Sequence, residues 1–590
     1  MCCTSKAIDV IEPESKKKKN NDNNQNSLSN NKNDIEEIKD LDNNNVNGFE
    51  NKLSGKEKSP NDNDSHYLEE DINNNEENES NHDYSFYNLE ELLEKGTKSY
   101  SLENYKTAIN IYRALIKKYP NDVRGYFNMG KVYMKLKSYS NALDMFNKSF
   151  LLDKSIIDLY INKGICLFNL KEYEEAIDTY DRGLKLYPKD YTLYLNKGVA
   201  LNHLKKYNEA IKCFKEGLLI KKDSSLYNNI AITFFKLKDY KKSIEYYNEA
   251  IILNPKDPIQ LNNKGVALKH IEQFDEAIKC FNQAIKIAPN DPISYYNKAN
   301  TFKLMDKNEE ALEQFDLAIN LDNKYISAFY NKGLTLNNMG RYYEAIENFN
   351  ICIKLNPKHQ YSYLNKGIAL DVMKKCQEAL EQFEKAIEIN PKFVDAYLNK
   401  GITLYNMNKF EEAIYNYDYA IKYSNNSAPA YNNKGVCLYK MEKYWDALEA
   451  YNNALKIEPN YLDVYINKGS CFKGLKQYSE ALEEFDKAIK IKKEYSNAYY
   501  NKGLVYNLLK GEEDYKQAIQ QFNLAIKYKP DFSLAYYHKG ISEMELNDYS
   551  NAINSFNKCK EINKDEAEKC DEKIKECTEF IKNLVKNDEQ

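Results

Sequence analysis

The chain has 590 residues, enough for several domains or for one long repeat array. Its 84 basic and 89 acidic side chains leave a net charge of −5, so no nucleic-acid partner is expected. No segment approaches the roughly 18 continuous apolar residues of a membrane span, and "MCCTSKAIDVIEPESKKKK" lacks the apolar core of a signal peptide. The expected compartment is therefore the cytoplasm, with the nucleus or a peripheral membrane as alternatives.

Residues 1–85 read as a disordered Asn/Lys/Glu-rich region of low complexity. Runs such as "NNDNNQNSLSNNKND" and "DINNNEENESNHD" are polar and carry no hydrophobic period, so they bury too little apolar area to offset chain entropy. Within this region Cys2 and Cys3 sit at the very end, with Lys16–Lys19 downstream. Paired cysteines beside basic charge fit palmitoylation; two unmodified thiols are the plain alternative. A membrane partner is expected only if they are acylated. Order is expected to begin near Asn88, where Glu91 stands three residues on in capping-box spacing.

From there the sequence repeats. A glycine recurs at Gly96, Gly130, Gly164, Gly198, Gly265, Gly333, Gly367, Gly401, Gly435, Gly469, Gly503 and Gly540, and Ala231 and Ala299 fill the two gaps. Nearly every spacing is 34, which gives fourteen units. Each unit reads as two helices. An aromatic lies four residues before the small residue in twelve units, as at Tyr160 and Tyr397, and Leu, Phe or Tyr usually lies three after it, which is one helical face. A polar turn follows, then Ala twelve residues past the glycine in most units, as at Ala142 and Ala345, and Phe or Tyr four residues later. Pro often closes the unit, as at Pro188 and Pro459, where it stops the second helix. Glycine inside a helix costs about 1 kcal/mol against Ala. Close approach of the small residues of the two helices, Gly in the first and Ala in the second, is the expected compensation.

This pattern resembles the tetratricopeptide repeat family over residues 89–564. Tyr stands where the family often has Trp, and Lys where it often has Leu just before the glycine. The resemblance implies an all-α, right-handed superhelix of about fourteen helical hairpins, with first helices lining a concave groove and second helices forming the convex back. Residues 565–586 continue as a helix with Ala567, Cys570, Ile574, Cys577, Ile581 and Leu584 on one face. A capping helix over the last repeat is expected there.

Two residues before the small residue stands Asn in twelve consecutive units: Asn128, Asn162, Asn196, Asn229, Asn263, Asn297, Asn331, Asn365, Asn399, Asn433, Asn467 and Asn501. The row is similar to the asparagine ladder in the repeat domain of O-linked N-acetylglucosamine transferase, where such amides hold an extended peptide. An amide both donates and accepts, so it can pair with any peptide unit; inherited repeat consensus is the other reading. One residue before the Asn, Phe127, Tyr296, Tyr330 and Tyr500 are candidate groove aromatics. The Lys before the glycine, as at Lys163, Lys264 and Lys400, is expected to pack its stem and send its ammonium to water. The clamp with which some family members grip acidic chaperone tails needs a basic residue three before the glycine. No unit has Lys or Arg there, so no carboxylate clamp is expected.

Twelve cysteines form no CxxC pair, and six scattered histidines make no HExxH. Most cysteines of the array fall at core positions and read as buried structural thiols. Trp445 reads as a partly buried residue, with a convex contact as the sharper alternative. The stretch 508–518 is three residues longer than its equivalents and reads as a longer loop; the linker 221–227 is one shorter. No catalytic, cofactor or metal site is expected. The functional reading is a non-enzymatic scaffold that holds extended segments of partner proteins in its groove. The alternative is a structural subunit of a large assembly of ciliary, cell-cycle or trafficking type, using convex face and edges. A third is a non-catalytic subunit of a glycosyltransferase-like enzyme, although only the capping helix follows the repeats.

Overall fold

The computed structural model describes residues 84–424 and 426–588. Cys2, Cys3 and the region predicted to be disordered lie outside them, except for a short 3-10 turn at Tyr84–Phe86. The described residues form 29 α-helices and no strand. The array falls into two compact units, one running to Ala328 and the other starting at Phe329.

The expected start is present. Asn88 Oδ1 accepts from the Glu91 N–H at 3.0 Å, and Glu91 Oε2 accepts from the Asn88 N–H at 2.8 Å. Helices then alternate in pairs, as in Ile157–Asn169 with Tyr173–Leu186. Within each unit the second helix packs both on its partner and on the first helix of the next pair, as Tyr173–Leu186 does on Ile157–Asn169 and on Tyr191–His203. Where proline closes a unit the helix has already ended: Tyr173–Leu186 stops two residues before Pro188, and Tyr444–Ile457 two before Pro459.

The partner of the recurring glycine is not the alanine twelve residues on, as the sequence suggested, but the aromatic sixteen residues on. A Cβ built on Gly130 would lie 2.7 Å from Phe146 Cε1, on Gly265 2.5 Å from Phe281 Cε1, and on Gly401 2.5 Å from Tyr417 Cε1. The ring of the second helix thus lies directly on the backbone of the first. The alanines do belong to the buried core of each hairpin, together with these rings.

The turn inside each pair ends the first helix in a Schellman motif. At Leu170 the Lys171 N–H bonds Phe168 O at 3.0 Å and the Glu172 N–H bonds Leu167 O at 2.9 Å. Seven residues past every small residue the backbone is left-handed. Gly340 takes this position once; elsewhere it falls on residues such as Lys171 (φ 66°), Glu272 (φ 61°) and Asn408 (φ 59°). A side chain there costs about 1–2 kcal/mol, a cost that the packing of the two helices overrides.

Two expectations about length and termination are refined. The three extra residues at 508–518 do not lengthen a loop: they add a turn to the second helix, Glu512–Tyr528, which has 17 residues where its equivalents have 14. The capping helix runs Ala567–Asp588. Cys570 and Cys577 are buried in one cluster with Ala552, Phe556 and Cys559, and Phe580 stacks on Tyr549 at 5.2 Å. The side chain of Leu584 lies outside the described residues. Burial pushes the thiols of Cys166, Cys352, Cys437, Cys471 and Cys559 up to about 12, which fits structural rather than reactive cysteines.

Two stability outcomes follow. Gly265→Ala gains helix propensity but drives a methyl into the Phe281 ring, so a net loss of about 1–2 kcal/mol is expected in urea unfolding. Glu543 stands where twelve other units carry Leu, Phe or Tyr and the first carries Ser99. Burial raises its pKa above the usual carboxylate value, against the lowering effects of the Ser555 hydroxyl at 2.7 Å and Lys539 at 3.5 Å. A carboxyl raised in the folded state holds its proton more tightly there, so it costs stability as pH rises past its unfolded value. Glu543→Gln is therefore expected to raise the urea midpoint of the C-terminal repeat at pH 7, with the gain vanishing at about pH 4.

Candidate functional site

The asparagines of the row lie on the first helices of their hairpins. Seven of the twelve are buried: Asn196, Asn229, Asn263, Asn297, Asn331, Asn467 and Asn501. Asn128, Asn162, Asn365, Asn399 and Asn433 are half-buried. The row is thus sunk into the first-helix face rather than standing proud of it.

Three members tie adjacent repeats. Asn297 Nδ2 donates to Asn262 Oδ1 at 3.1 Å, Asn467 Nδ2 to Asn432 Oδ1 at 3.0 Å, and Asn365 Nδ2 to the Tyr330 hydroxyl at 3.0 Å. In each case the acceptor is the residue three before the small residue of the preceding unit. Asn229, Asn365, Asn399 and Asn501 also donate to the carbonyl four residues back in their own helix, as Asn399 does to Asp395 O at 2.7 Å. Asn196 and Asn263 differ. They are 2 % and 1 % exposed, and neither the oxygen nor the nitrogen of either amide has a hydrogen-bond partner. A buried amide left in this state costs about 1–3 kcal/mol per group.

A second set of polar ties escaped the sequence reading. Asn202 Nδ2 donates to Thr233 Oγ1 at 2.8 Å, and the Ser542 hydroxyl donates to Asn507 Oδ1 at 2.7 Å. Both pairs join the residue four past one glycine to the residue two past the next small residue. Only the spatial juxtaposition of first helices reveals them, because partners 31 and 35 residues apart share no local motif.

The candidate aromatics divide. Tyr296 and Tyr500 are almost completely buried, so they are corrected from groove residues to core residues. Tyr296 packs on Phe315 and Tyr325, and Tyr500 on Phe522 and Phe532. Each ring packs on the buried aromatic of its own second helix, Phe315 in one core cluster with Ala299 and Phe522 against Gly503. Phe127 and Tyr330 are half-buried and pack on Phe146 and Phe349 in the same way.

Both departures from the family pattern have a structural role. The Tyr that replaces Trp uses its hydroxyl on the linker six residues earlier: Tyr160 donates to Lys154 O at 3.0 Å and Tyr465 to Pro459 O at 2.9 Å. The Lys before the glycine does not simply run to water. Lys197, Lys400, Lys434 and Lys502 pair with Asp181, Glu384, Asp418 and Asp486 on the second helix of the preceding unit, at 2.6–3.0 Å. Lys163 instead lies over the Phe150 ring at 5.3 Å, and burial lowers its pKa. The four ion pairs brace neighbouring repeats.

On the second helices Trp445 is 63 % exposed, which corrects its expected partial burial. Tyr415, Tyr419 and Tyr423 line one helix, with Tyr397 stacked on Tyr419 at 5.3 Å and the Tyr415 and Tyr419 hydroxyls 3.0 Å apart. Equivalent positions elsewhere hold ion pairs such as Lys148–Asp144 and Arg182–Asp178. Among the described residues no three His, Cys, Asp or Glu group as a metal site, and no helix is long and apolar enough to cross a membrane.

The bridging role of Asn467 is open to test. Asn467→Ala leaves Asn432 without its donor, and a local loss of about 1–2 kcal/mol is expected. Hydrogen exchange should rise in residues 428–440 and 462–474, with no comparable change in residues 89–152.

Models of the tetratricopeptide repeat match residues 93–149, 157–190, 191–224, 224–257, 258–291, 280–313, 326–359, 361–393, 382–415, 428–461 and 534–566, and a TPR repeat model matches 472–511. Comparison with curated proteins gave no match. Among solved structures, the chain is similar to the APC/C hetero-tetramer Cut9-Hcn1, with 15 % identity over 84 % of this chain and 97 % of that one, at a TM-score of 0.42. It is also similar to YrrB, a TPR protein with an unusual peptide-binding site, with 26 % identity over 32 % of this chain and 97 % of that one, at 0.27. Yeast Tom70 shows 17 % identity over 73 % of this chain and 96 % of that one, at 0.35. With repeat models matching along most of the helical array, the chain belongs to the tetratricopeptide repeat family.

Proposed function

We propose that this chain is a non-catalytic scaffold that holds extended segments of partner proteins along its first-helix face. The observation that carries the reading is a row of amides at one helical position in which Asn196 and Asn263 have no partner within the protein. An amide donor and acceptor side by side match the N–H and C=O of a passing peptide unit, whatever its side chain. Their burial means that the side chains swing outward to meet a ligand, and the partner gained offsets the cost of an unpaired amide. Members that tie repeats, such as Asn297 and Asn467, keep the surface rigid, so little ordering entropy is lost on binding.

The second reading, a structural subunit that docks through its second helices, is favoured by the exposed rings of Trp445, Tyr343 and Tyr415. Aromatic residues are enriched in interface hot spots.

A quantitative pulldown separates the two. The variant Asn128→Ala/Asn162→Ala/Asn196→Ala/Asn263→Ala avoids the three ladder residues with inter-repeat hydrogen bonds. With helix content unchanged by circular dichroism, at least a tenfold loss of recovered partners is expected. Full recovery with this variant, together with loss in Trp445→Ala/Tyr415→Ala, would replace the first reading by the second.

A further inference from the structure

One second helix departs from the others in what it shows to solvent. Several units carry an acid fourteen residues past the small residue and a cation eighteen past it, as in Asp144–Lys148 at 2.8 Å and Asp178–Arg182 at 2.6 Å. In the unit of Gly401 both positions are tyrosine, Tyr415 and Tyr419, and Tyr423 follows one turn later. The three stand at i, i+4 and i+8 on the helix Phe410–Tyr423, so they share one face. Tyr397, on the partner helix Val394–Asn406, completes a cluster of four rings. It stacks on Tyr419 at 5.3 Å and 11°, and lies 5.9 Å from Tyr423; Tyr415 meets Tyr419 edge to face at 4.9 Å. Tyr397 is buried, Tyr419 and Tyr423 are half-buried, and Tyr415 is exposed. The cluster is therefore anchored in the hairpin and open at Tyr415.

Aromatic faces attract cations through the ring quadrupole, and the repeats show this at the same place. Lys422 lies over the rings of Tyr419 and Tyr423 at 5.6 and 5.7 Å. In other units the residue eighteen past the glycine is a cation that interacts electrostatically with the equivalent of Tyr397: Arg182 with Tyr160, Lys487 with Tyr465 and Lys558 with Tyr536. Tyr419 takes the place of that cation. The ring surface is thereby extended to Tyr415, and among the described residues no cation lies over the Tyr415 ring.

The charge beside that ring is acidic. Glu411, Glu412 and Asp418 lie one turn from Tyr415 on the same helix. Glu412 pairs with Lys409 at 3.2 Å and Asp418 with Lys434 at 2.6 Å. Glu411 is exposed, and among the described residues it has no ion pair or hydrogen bond. An open ring and an unengaged carboxylate four residues apart suit one ligand group in particular. A guanidinium is planar, stacks on an aromatic face and is more weakly hydrated than an ammonium. Its fork also offers two N–H groups to a carboxylate.

We infer that this tyrosine cluster binds an arginine-bearing basic segment of a partner protein, with a guanidinium stacked on Tyr415 and hydrogen-bonded to Glu411. The site lies on a second helix, apart from the asparagine row. It rests on the second-helix reading given above and supplies that reading with a partner chemistry.

Fluorescence anisotropy with the full-length protein and a labelled peptide of alternating Arg and Ser tests this, at about 0.15 M salt to screen long-range attraction. Saturable binding is expected. Tyr415→Ala should weaken it about fivefold, whereas Tyr415→Phe, which keeps the ring, should stay within about twofold of the unmodified protein. Glu411→Gln should weaken it about threefold, and the same peptide with Lys for Arg should bind about threefold more weakly. Both side chains are exposed, and circular dichroism reports that the helices are intact. No saturable binding of the Arg peptide, or binding that Tyr415→Ala leaves unchanged, would overturn the inference. A dimer by light scattering that Tyr415→Ala dissociates, with no peptide bound, would overturn it by assigning the rings to a second copy. Partner loss in Trp445→Ala/Tyr415→Ala without binding of the Arg peptide would overturn it while leaving second-helix docking in place. Peptide binding that Tyr415→Ala weakens, with partner recovery unchanged in that double variant, would support the site and remove second-helix docking as the source of the recovered partners.

Discussion

The contact between a second-helix ring and a first-helix backbone without a side chain is the constraint on which the rest of the structure depends. It accounts for a glycine that would otherwise weaken twelve of the first helices. It also sets how close the two helices lie, and so decides which neighbouring side chains are buried. Tyr296 and Tyr500 are buried against the second-helix rings of their own hairpins. The alanines lie deeper in the same cores. A hairpin built this way has one outlet for its remaining apolar surface, the next hairpin, which is why stability and repetition are linked in such arrays.

Between hairpins the interactions change character. Apolar packing continues, but it is supplemented by amide–amide, amide–hydroxyl and lysine–carboxylate pairs that recur at set positions. Buried polar ties are directional in a way that apolar contacts are not, so they hold successive first helices in register. The same property makes the asparagine row ambiguous in function. An amide that joins two repeats is chemically the same as one that would hold a peptide, and only its surroundings tell them apart. Asn467 faces Asn432 and is engaged; Asn263 faces no partner.

How much of this was legible in the sequence follows from the range of each interaction. The capping box at Asn88, the proline stops and the 34-residue period are local or periodic, and they are present where expected. The partner of the glycine was misassigned because Ala and Phe both recur at fixed offsets, and spacing alone does not say which side chain points at the backbone. The left-handed turn residue was invisible because Lys, Glu, Asp and Asn occupy a position where glycine would have announced it. The extra residues at 508–518 read as a loop because an added helical turn and a longer loop both insert three positions. The Lys before the glycine was correctly given a packed stem, but its carboxylate partner sits 16 residues back on another helix, beyond any local motif.

Repetition has one further consequence for reading function. In an ordinary globular domain an exposed leucine or a buried glutamate has no internal standard against which to be judged. Here fourteen units supply that standard, and a departure counts as information in proportion to how uniform its position is elsewhere. The tyrosines at 415 and 419 replace a salt-bridged pair, Leu219 and Ile252 replace lysines, and Glu543 replaces an apolar core residue. None of these is needed to form a hairpin, since the other units form one without them. Glu543 is costly to the fold and Leu219 to solubility, so each is a place where something other than hairpin stability has shaped the surface. The repeated framework gives the chain rigidity and length; what distinguishes its partners is written in the few positions where the repeat is broken.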